Sequence, residues 1–209
     1  MYNPAHFTLD APEALQRIVQ AHPLGLLVTH GPDGLDANHI PFAFDPSRGE
    51  HGTLTAHVAR ANPVWQQCAG GADVLVVFRG ESGYISPSWY PSKHDTHRQL
   101  PTWNYEAVHA HGRLTVHDDE KFVRGLVARL TRTHEAAEPQ PWKMGDAPPD
   151  YLDAMLKAIV GIEIAVTRWE GKAKLSQNKE ARDRQGAVAA LQARGQEGLA
   201  AAMGRTLAS

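Results

Sequence analysis

The feature of the sequence that most constrains the fold is a long stretch of alternating apolar and polar residues, TWNYEAVHAHGRLTVH at residues 102–117. Every second position from Val108 to Val116 is apolar or glycine, whereas His109 and His111 stand at positions between them. Such a two-residue period places the two sets of side chains on opposite faces of a β-strand. Because a long strand must pair its backbone groups with neighbours, we expect the chain to build a β-sheet.

Other segments predict further strands. Two of them flank GPDG at residues 31–34, a turn sequence typical of a β-hairpin. Three more are GTLTAHV at 52–58, ADVLVVFRG at 72–80 and VGIEIAVTRWEGKAKLS at 160–176, the last with a turn near Gly171. The pattern therefore predicts about six or seven strands, mostly antiparallel.

Helices are predicted between and after the strands. An apolar stripe predicts a helix at residues 118–135, capped by Asp118 or Asp119. The other predicted helices or helical turns lie, in chain order, at 11–21, 59–70, 149–159 and 177–195. For the last of these, Asn178 is the expected cap.

These elements predict a mainly β protein with peripheral helices, of the α+β class, in which the strands form a small closed or half-closed barrel. The length of 209 residues suits one domain with a sizeable core. We therefore expect a single domain over residues 1–209, with a C-terminal helical extension at about 179–209.

Composition and charge exclude several classes of protein. Hydrophobic residues make up 42% and charged residues 21% of the chain, which excludes general disorder. The formal net charge of -2 provides no general positive field for nucleic acid, so any contact with DNA would be local. No apolar run approaches the ~20 residues of a membrane span. The single cysteine, Cys68, cannot form an internal disulfide, and we expect a buried thiol in a cytoplasmic protein.

A first candidate binding segment is LTAHVARANPVW at residues 54–65, where a strand runs into a helical turn. Backbone N–H groups at such a turn, together with the fork of Arg60 and the side chain of Asn62, can hold a phosphate. The alternative is that Arg60 is a solvated surface residue and Asn62 only forms a turn before Pro63. Neither a Walker A loop nor a GxGxxG sequence occurs, which argues against a nucleoside triphosphate or a Rossmann-bound dinucleotide.

A second candidate is formed by two aromatic segments, YISPSWY at residues 84–90 and LPTWNY at 100–105. Flat side chains with polar tips can line a slot for a planar ligand. Donors and acceptors would come from Ser86, Ser88, Thr102 and Asn104. Packing in the core or at a subunit interface is the alternative.

A third candidate is WEGKAKLSQNKEARD at residues 169–183, a predicted junction of strand and helix. Three lysines there lie close to Gln177 and Asn178 in sequence, and they could face an anion or a ring carbonyl. The alternative is a solvated, charged edge. His109 and His111 share a strand face, but this spacing is only permissive for a metal, and no metal ligand is assigned.

Several motifs taken together resemble the PaiB family, described as FMN-binding negative transcriptional regulators. They span nearly the whole chain in the order of the family: MYNPAHF at 1–7, HIPF at 39–42, AHVARANP at 56–63, YISPSWY at 84–90, PTWNYEAVHAHG at 101–112 and LSQNK at 175–179. Each motif alone is weak, whereas the set in order is specific.

The resemblance implies an FMN-binding split β-barrel like that of the pyridoxamine phosphate oxidases, and a homodimer with FMN at the subunit interface. It implies that the flavin phosphate lies at the strand-to-helix segment, paired with Arg60 and bound by the backbone N–H groups of Ala61 and Asn62. The two Trp-bearing segments would line the flavin ring. The full set of expected cofactor-binding residues is His57, Arg60, Ala61, Asn62, Ser86, Ser88, Trp89, Thr102, Trp103, Asn104, Gln177 and Lys179.

The resemblance further implies a negative regulator of transcription. A flavin-dependent oxidoreductase is the alternative, although the sequence assigns no general acid or base, and a haem-binding split barrel is a third reading. DNA is a possible partner, but no segment reads as a helix-turn-helix. The basic residues of the C-terminal helix are offset by Glu180 and Asp183.

Overall fold

The computed structural model describes residues 1–207, and within them lie eight strands and seven α-helices. The strands are β1 Thr8–Leu9, β2 Leu24–Gly31, β3 Gly34–Pro41, β4 Ala43–Asp45, β5 Thr53–Ala59, β6 Ala72–Ile85, β7 Thr102–His117 and β8 Ile159–Lys174. The α-helices are α1 Pro12–Ala21, α2 Val64–Gln67, α3 Pro91–Thr96, α4 Glu120–His134, α5 Pro149–Lys157, α6 Ala181–Gln192 and α7 Glu197–Arg205. The expected class, mainly β with peripheral helices, is confirmed.

The strands follow the order β3-β2-β6-β7-β8-β5-β4, and β1 pairs with β8. The predicted hairpin is present: β2 and β3 pair antiparallel, with Leu24 opposite Pro41 and Gly31 opposite Gly34. Internal contacts divide the chain into two compact units. Unit 1 comprises residues 1–22, 78–109 and those from 170 onward, and unit 2 comprises residues 23–77 and 110–169.

Unit 1 contains the C-terminal helices α6 and α7. Leu191 of α6 and Met203 of α7 are fully buried in a cluster that also contains Tyr90 and Leu175. Gly186 of α6 lies against the backbone of Trp89, where a larger side chain would collide. The cluster therefore joins the two helices to the segment that follows β6.

Unit 2 contains the β2–β3 hairpin and the pairing of β5 with β8. Leu54 of β5 lies opposite Ile164 of β8, and both side chains are fully buried. Helix α4 begins after Asp119, whose carboxylate accepts a hydrogen bond from the Phe122 N–H at 2.8 Å, so Asp119 rather than Asp118 is the cap. Its buried residues include Leu126 and Leu130.

Four predictions about local structure were wrong, and the first concerns Gly171. Strand β8 is continuous through this residue, with no turn. Gly171 pairs with Leu9 of β1, and the Leu9 carbonyl and the Leu15 side chain occupy the space that a Cβ would need. The glycine is there for close approach and not for a turn.

The other three corrections concern helices and a strand. Strand β6 continues to Ile85 instead of ending at residue 80. The C-terminal residues form two helices instead of one, and α6 begins after Glu180, without a side-chain cap from Asn178. Residues 208–209 of the predicted extension lie outside the described residues.

No helix in the described residues is both long and apolar enough to span a membrane.

Candidate functional site

The first candidate segment lies in unit 2, between the end of β5 and the short helix α2. The guanidinium of Arg60 donates two hydrogen bonds to the carboxylate of Asp118, at 3.0 and 2.6 Å. It also donates to the backbone carbonyls of Lys157, at 2.7 Å, and Ile159, at 3.3 Å. The pKa of Asp118 is lowered by these hydrogen bonds from Arg60. Arg60 therefore already has an anionic partner within its own unit.

Asn62 is likewise engaged within unit 2. Its side-chain amide donates to the Asn38 side chain at 2.8 Å, and its carbonyl accepts from the Val64 N–H at 3.0 Å. Its backbone N–H donates to the Ala59 carbonyl at 2.9 Å. The residue closes the turn that leads into α2, and the expected phosphate cradle of Arg60, Ala61 and Asn62 stays a prediction.

His57 is the residue of this segment with an unused polar atom. It lies half-buried on β5, and its Nδ1 is buried without a hydrogen-bond partner among residues 1–207. Burial lowers its pKa, so the ring is neutral at neutral pH and can donate or accept a hydrogen bond. Such an orphaned atom fits a polar group of a ligand such as FMN.

The first aromatic segment, in unit 1, forms a turn after β6. The Ser86 hydroxyl accepts from the Ser88 N–H at 3.2 Å, which stabilises this turn. The Trp89 ring packs against the core cluster and carries the guanidinium of Arg194 4.7 Å from its centroid. These three predicted residues thus have structural contacts within unit 1.

The second aromatic segment presents Trp103 to solvent. Its side chain is 56% exposed and meets Tyr84 edge to face, with 6.5 Å between the ring centroids. Leu100, three residues earlier, is 79% exposed. Large apolar side chains at such exposure are available to a ligand or a protein partner.

A pocket of about 320 Å³ lies beside this segment, entirely within unit 1. We call it the cationic pocket, because three basic side chains and no carboxylate of residues 1–207 line it. Its lining residues are Phe7, Arg98, Leu100, Pro101, Thr102, Asn104, Lys174, Ser176, Asn178 and Lys179. Thr102, Asn104 and Lys179 are among the residues expected from the sequence, so the structure brings these three together.

Two lysines of the cationic pocket are held by neutral acceptors. Lys174 donates to the Thr102 hydroxyl and to the Trp103 carbonyl, both at 2.5 Å. Burial, followed by the charges of Lys172 and Lys179, lowers the pKa of Lys174. Lys179 donates to the Gln99 side-chain carbonyl at 2.7 Å. An anion in the pocket would relieve the repulsion between these charges.

Two buried polar residues, Asn104 and Ser176, also line the cationic pocket. Asn104 is fully buried, and its amide donates to the Ser176 hydroxyl at 2.9 Å. Tyr90 and Ser176 share a further hydrogen bond between their hydroxyls at 3.1 Å. Gln177 does not line the pocket: its side chain accepts from the Leu175 N–H and donates to the Ala173 carbonyl, which fixes the end of β8.

Seven lining residues were not in the expected cofactor-binding set, namely Phe7, Arg98, Leu100, Pro101, Lys174, Ser176 and Asn178. Lys174, Ser176 and Asn178 stand in the lysine-containing segment at 169–183, which the sequence had already singled out as a candidate for facing an anion. Arg98 gave no signal, because it is an isolated arginine that lies distant in sequence from the lysines. The pocket as a whole fits an anionic, partly polar ligand, and the phosphate and ribityl hydroxyls of FMN are groups of that kind.

Comparisons with known proteins point to the same ligand. Residues 1–168 match the model of a family described as "Putative FMN-binding domain". A protein of Bacillus subtilis (strain 168) named "Protease synthase and sporulation protein PAI 2" is 33% identical over 192 residues, which are 92% of this chain and 89% of the relative. The match with the family model confirms FMN as the cofactor that the sequence resemblance implied.

Two solved structures are similar in fold. The flavocytochrome Anf3 from Azotobacter vinelandii superposes with a TM-score of 0.60 and 12% identity, covering 80% of this chain and 69% of that one. An FAD- and heme-binding protein from Mycobacterium smegmatis gives 0.55 and 17%, covering 80% and 73%. At such low identity these likenesses concern the fold alone, and they confirm the expected split-barrel class.

Proposed function

The chain belongs to the PaiB family of FMN-binding proteins, and on that premise we propose that it is an FMN-dependent negative regulator of gene expression. The observation that carries the proposal is the family match over residues 1–168. The name of the Bacillus subtilis relative, which contains the words "protease synthase and sporulation", supports a role beyond simple cofactor binding, and we take that role to be regulatory. The hydroxyls of Thr102 and Ser176 and the three basic side chains of the cationic pocket, which have no carboxylate partner among residues 1–207, support binding of a phosphorylated flavin.

The regulator is proposed to act as a homodimer. Tyr84, Leu100 and Trp103 of unit 1 are 46%, 79% and 56% exposed. Apolar side chains of this size are costly to leave in water, and a second copy of the chain would cover them. A Leu100→Asp variant should shift the mass in solution from dimer to monomer. Leu35→Asp, at an exposed leucine of unit 2, is the matched control and should leave the dimer intact.

We propose that the regulator contacts DNA through a small part of its surface and not through a general positive field. Arg182 of α6 is paired with Asp95 at 2.7 Å and with Glu180 at 2.8 Å. Arg184 donates to the Thr206 carbonyl, and Arg194 stacks on Trp89. These arginines of the C-terminal region are thus engaged within unit 1, and the net charge of -2 adds no general attraction.

The test of the proposed function has two stages. The untreated protein should carry a flavin absorption spectrum, or should quench the fluorescence of added FMN. Binding to fragments from upstream of candidate genes is then measured from low to high salt. A regulator that reads DNA should keep its preference for one fragment while its overall affinity falls. A colourless protein that ignores added FMN would contradict the proposal.

A flavin-dependent oxidoreductase is the second candidate, and Lys174 is the observation that favours it. A lysine with a lowered pKa gives up a proton more readily than an exposed one, so it could act as an acid beside a reduced flavin. Steady oxidation of reduced nicotinamide by the FMN-loaded protein in air, with dioxygen as the final electron acceptor, would support this candidate. Its absence, together with a preference for one DNA fragment, would support the regulator.

A further inference from the structure

We propose that the cationic pocket of unit 1 is a binding site for a phosphate monoester, held by Arg98, Lys174 and Lys179. The monoester is either FMN itself or a second phosphorylated small molecule. In the first case the inference deepens the proposed function and rests on it. In the second case it adds a ligand site that works beside the flavin.

The first argument is that the pocket has unused N–H donors. An ammonium group has three donors. Lys174 uses two of them on Thr102 and Trp103, and Lys179 uses one on Gln99. The guanidinium of Arg98 makes no hydrogen bond or ion pair within the described part of the chain. One donor of Lys174, two of Lys179 and the fork of Arg98 are therefore available to a ligand.

The second argument is charge. Elsewhere in the chain, Arg60, Arg124 and Arg182 each have a carboxylate within 3.0 Å. The three cations of the cationic pocket have none within 4.0 Å among residues 1–207, and no carboxylate lines the pocket. Three uncompensated cations around one cavity favour a dianion over a monoanion, and a phosphate monoester is nearly dianionic at neutral pH.

The third argument is that Lys179 is held in place by a buried network. The carboxylate of Asp183 is buried and accepts from the N–H of Ser92 at 3.0 Å and from its hydroxyl at 2.6 Å. The Ser92 hydroxyl oxygen also accepts from the Gln99 amide at 2.7 Å. Because the amide N–H₂ of Gln99 faces these acceptors, its carbonyl oxygen faces Lys179. Gln99 is therefore a positioning residue for Lys179.

The other lining residues suit the rest of such a ligand. Thr102, Asn104, Ser176 and Asn178 line the pocket with polar side chains, of which Asn104 and Ser176 are hydrogen-bonded to each other. A monoester carries hydroxyl or ring groups beyond its phosphate, and these polar side chains can bind them. Leu100 and Pro101 provide an apolar part of the wall. The lining is thus suited to a small phosphorylated organic molecule and not only to the inorganic ion.

The experiment compares three probes: FMN, riboflavin and inorganic phosphate. Flavin affinities are measured by fluorescence quenching, and phosphate binding is measured by calorimetry with flavin-free and FMN-loaded protein. The variants are Lys174→Met, Lys179→Met and Arg98→Met. Lys121→Met, at an exposed lysine of α4 outside the pocket, is the matched control for loss of one positive charge. Since Arg98 is exposed and its guanidinium has no partner among the described residues, its variant should fold even if a lysine variant does not.

If FMN is the monoester, each pocket variant should lower the affinity for FMN about 10- to 100-fold, which is the range expected for the loss of one charged hydrogen bond. Riboflavin affinity should stay unchanged, and inorganic phosphate should compete with FMN. If the monoester is a second molecule, FMN-loaded protein should bind phosphate. The same variants should then lose phosphate binding and keep FMN.

Gln99→Leu tests the positioning role. This substitution removes no charge. It should therefore lower the affinity for FMN or for phosphate, whichever the pocket binds, by about three- to tenfold, and it should leave the affinity for riboflavin unchanged. A purely structural effect would instead lower the affinities for riboflavin and for FMN together.

Equal FMN and phosphate affinities in Lys121→Met and in the three pocket variants would overturn the site. Failure of the proposed function would look different: wild-type protein would then bind neither flavin, while phosphate binding to the flavin-free protein and its loss in the variants would still be seen. The two failures are therefore distinguishable in the same set of measurements.

Discussion

The carboxylate of Asp118 accepts two hydrogen bonds from the guanidinium of Arg60, across 58 residues of sequence. This ion pair joins the end of β5 to the segment before α4. Arg60 also donates to the carbonyls of Lys157 and Ile159, which joins the end of β5 to the start of β8. The arginine expected to bind a phosphate thus has a structural role in unit 2. An anion there would have to compete with Asp118.

We expect Arg60→Met to leave the dissociation constant for FMN within about threefold of wild type, because Asp118 already holds the guanidinium. Thermal unfolding should show that Arg60→Met and Asp118→Asn destabilise the protein by less in combination than the sum of the two single effects. A loss of FMN affinity above about tenfold in Arg60→Met would instead establish Arg60 as the phosphate ligand of the original prediction.

Asp183→Ala should lower the free energy of unfolding by about 1–3 kcal/mol or more, because it leaves the buried N–H of Ser92 without an acceptor. Urea unfolding followed by circular dichroism measures the change. Asp150→Ala, at an exposed position of α5, is the control and should stay within about 0.5 kcal/mol of wild type. Equal effects of the two substitutions would argue against a structural role for the Ser92–Asp183 contact.

Gly171→Ala should destabilise the protein by about 1–3 kcal/mol, since the new methyl group would collide with the Leu9 carbonyl and the Leu15 side chain. At Gly204, in α7 of the same unit, an added Cβ would have no atom of residues 1–207 within 4 Å apart from its chain neighbours and the backbone of its own helix, so Gly204→Ala should stabilise the protein by about 0.5–1 kcal/mol through helix propensity. Midpoints of thermal unfolding compare the two. A neutral Gly171→Ala would mean that β1 and β8 can separate at little cost.

His57 predicts a loss of stability in mild acid. Its pKa is lowered in the folded protein, mainly by burial, whereas the unfolded chain takes up a proton near the ordinary value of 6.5. The unfolded state therefore binds more protons as the pH falls through this value, and the folded state loses stability below it. His57→Gln should make the unfolding free energy less dependent on pH between about 7.5 and 5. Some dependence should remain, because burial also lowers the pKa of His111.

Local patterns predicted the regular elements well where the pattern was long. The alternation at residues 102–117 became β7, and the stripe at 118–135 became α4 with Asp119 as its cap. Predictions failed where the same residue type occurs in two kinds of local structure, as glycine does in turns and at close approaches inside strands. Glycine signals a turn by itself, yet Gly171 lies inside β8 because Leu9 and Leu15 crowd it. No local pattern reports such crowding.

The sequence alone determined the family, the class of fold and the cofactor. An ordered set of motifs and a two-residue period can be recognised without knowing which distant residues are in contact. Only the tertiary structure decided which cations are available to a ligand. Arg60 and Asp118 lie 58 residues apart, and Lys179 and Gln99 lie 80 apart, so their pairing depends on how the chain folds back. A charge becomes a binding group only if folding leaves it without a carboxylate, and folding leaves Arg98, Lys174 and Lys179 in that state within the described residues.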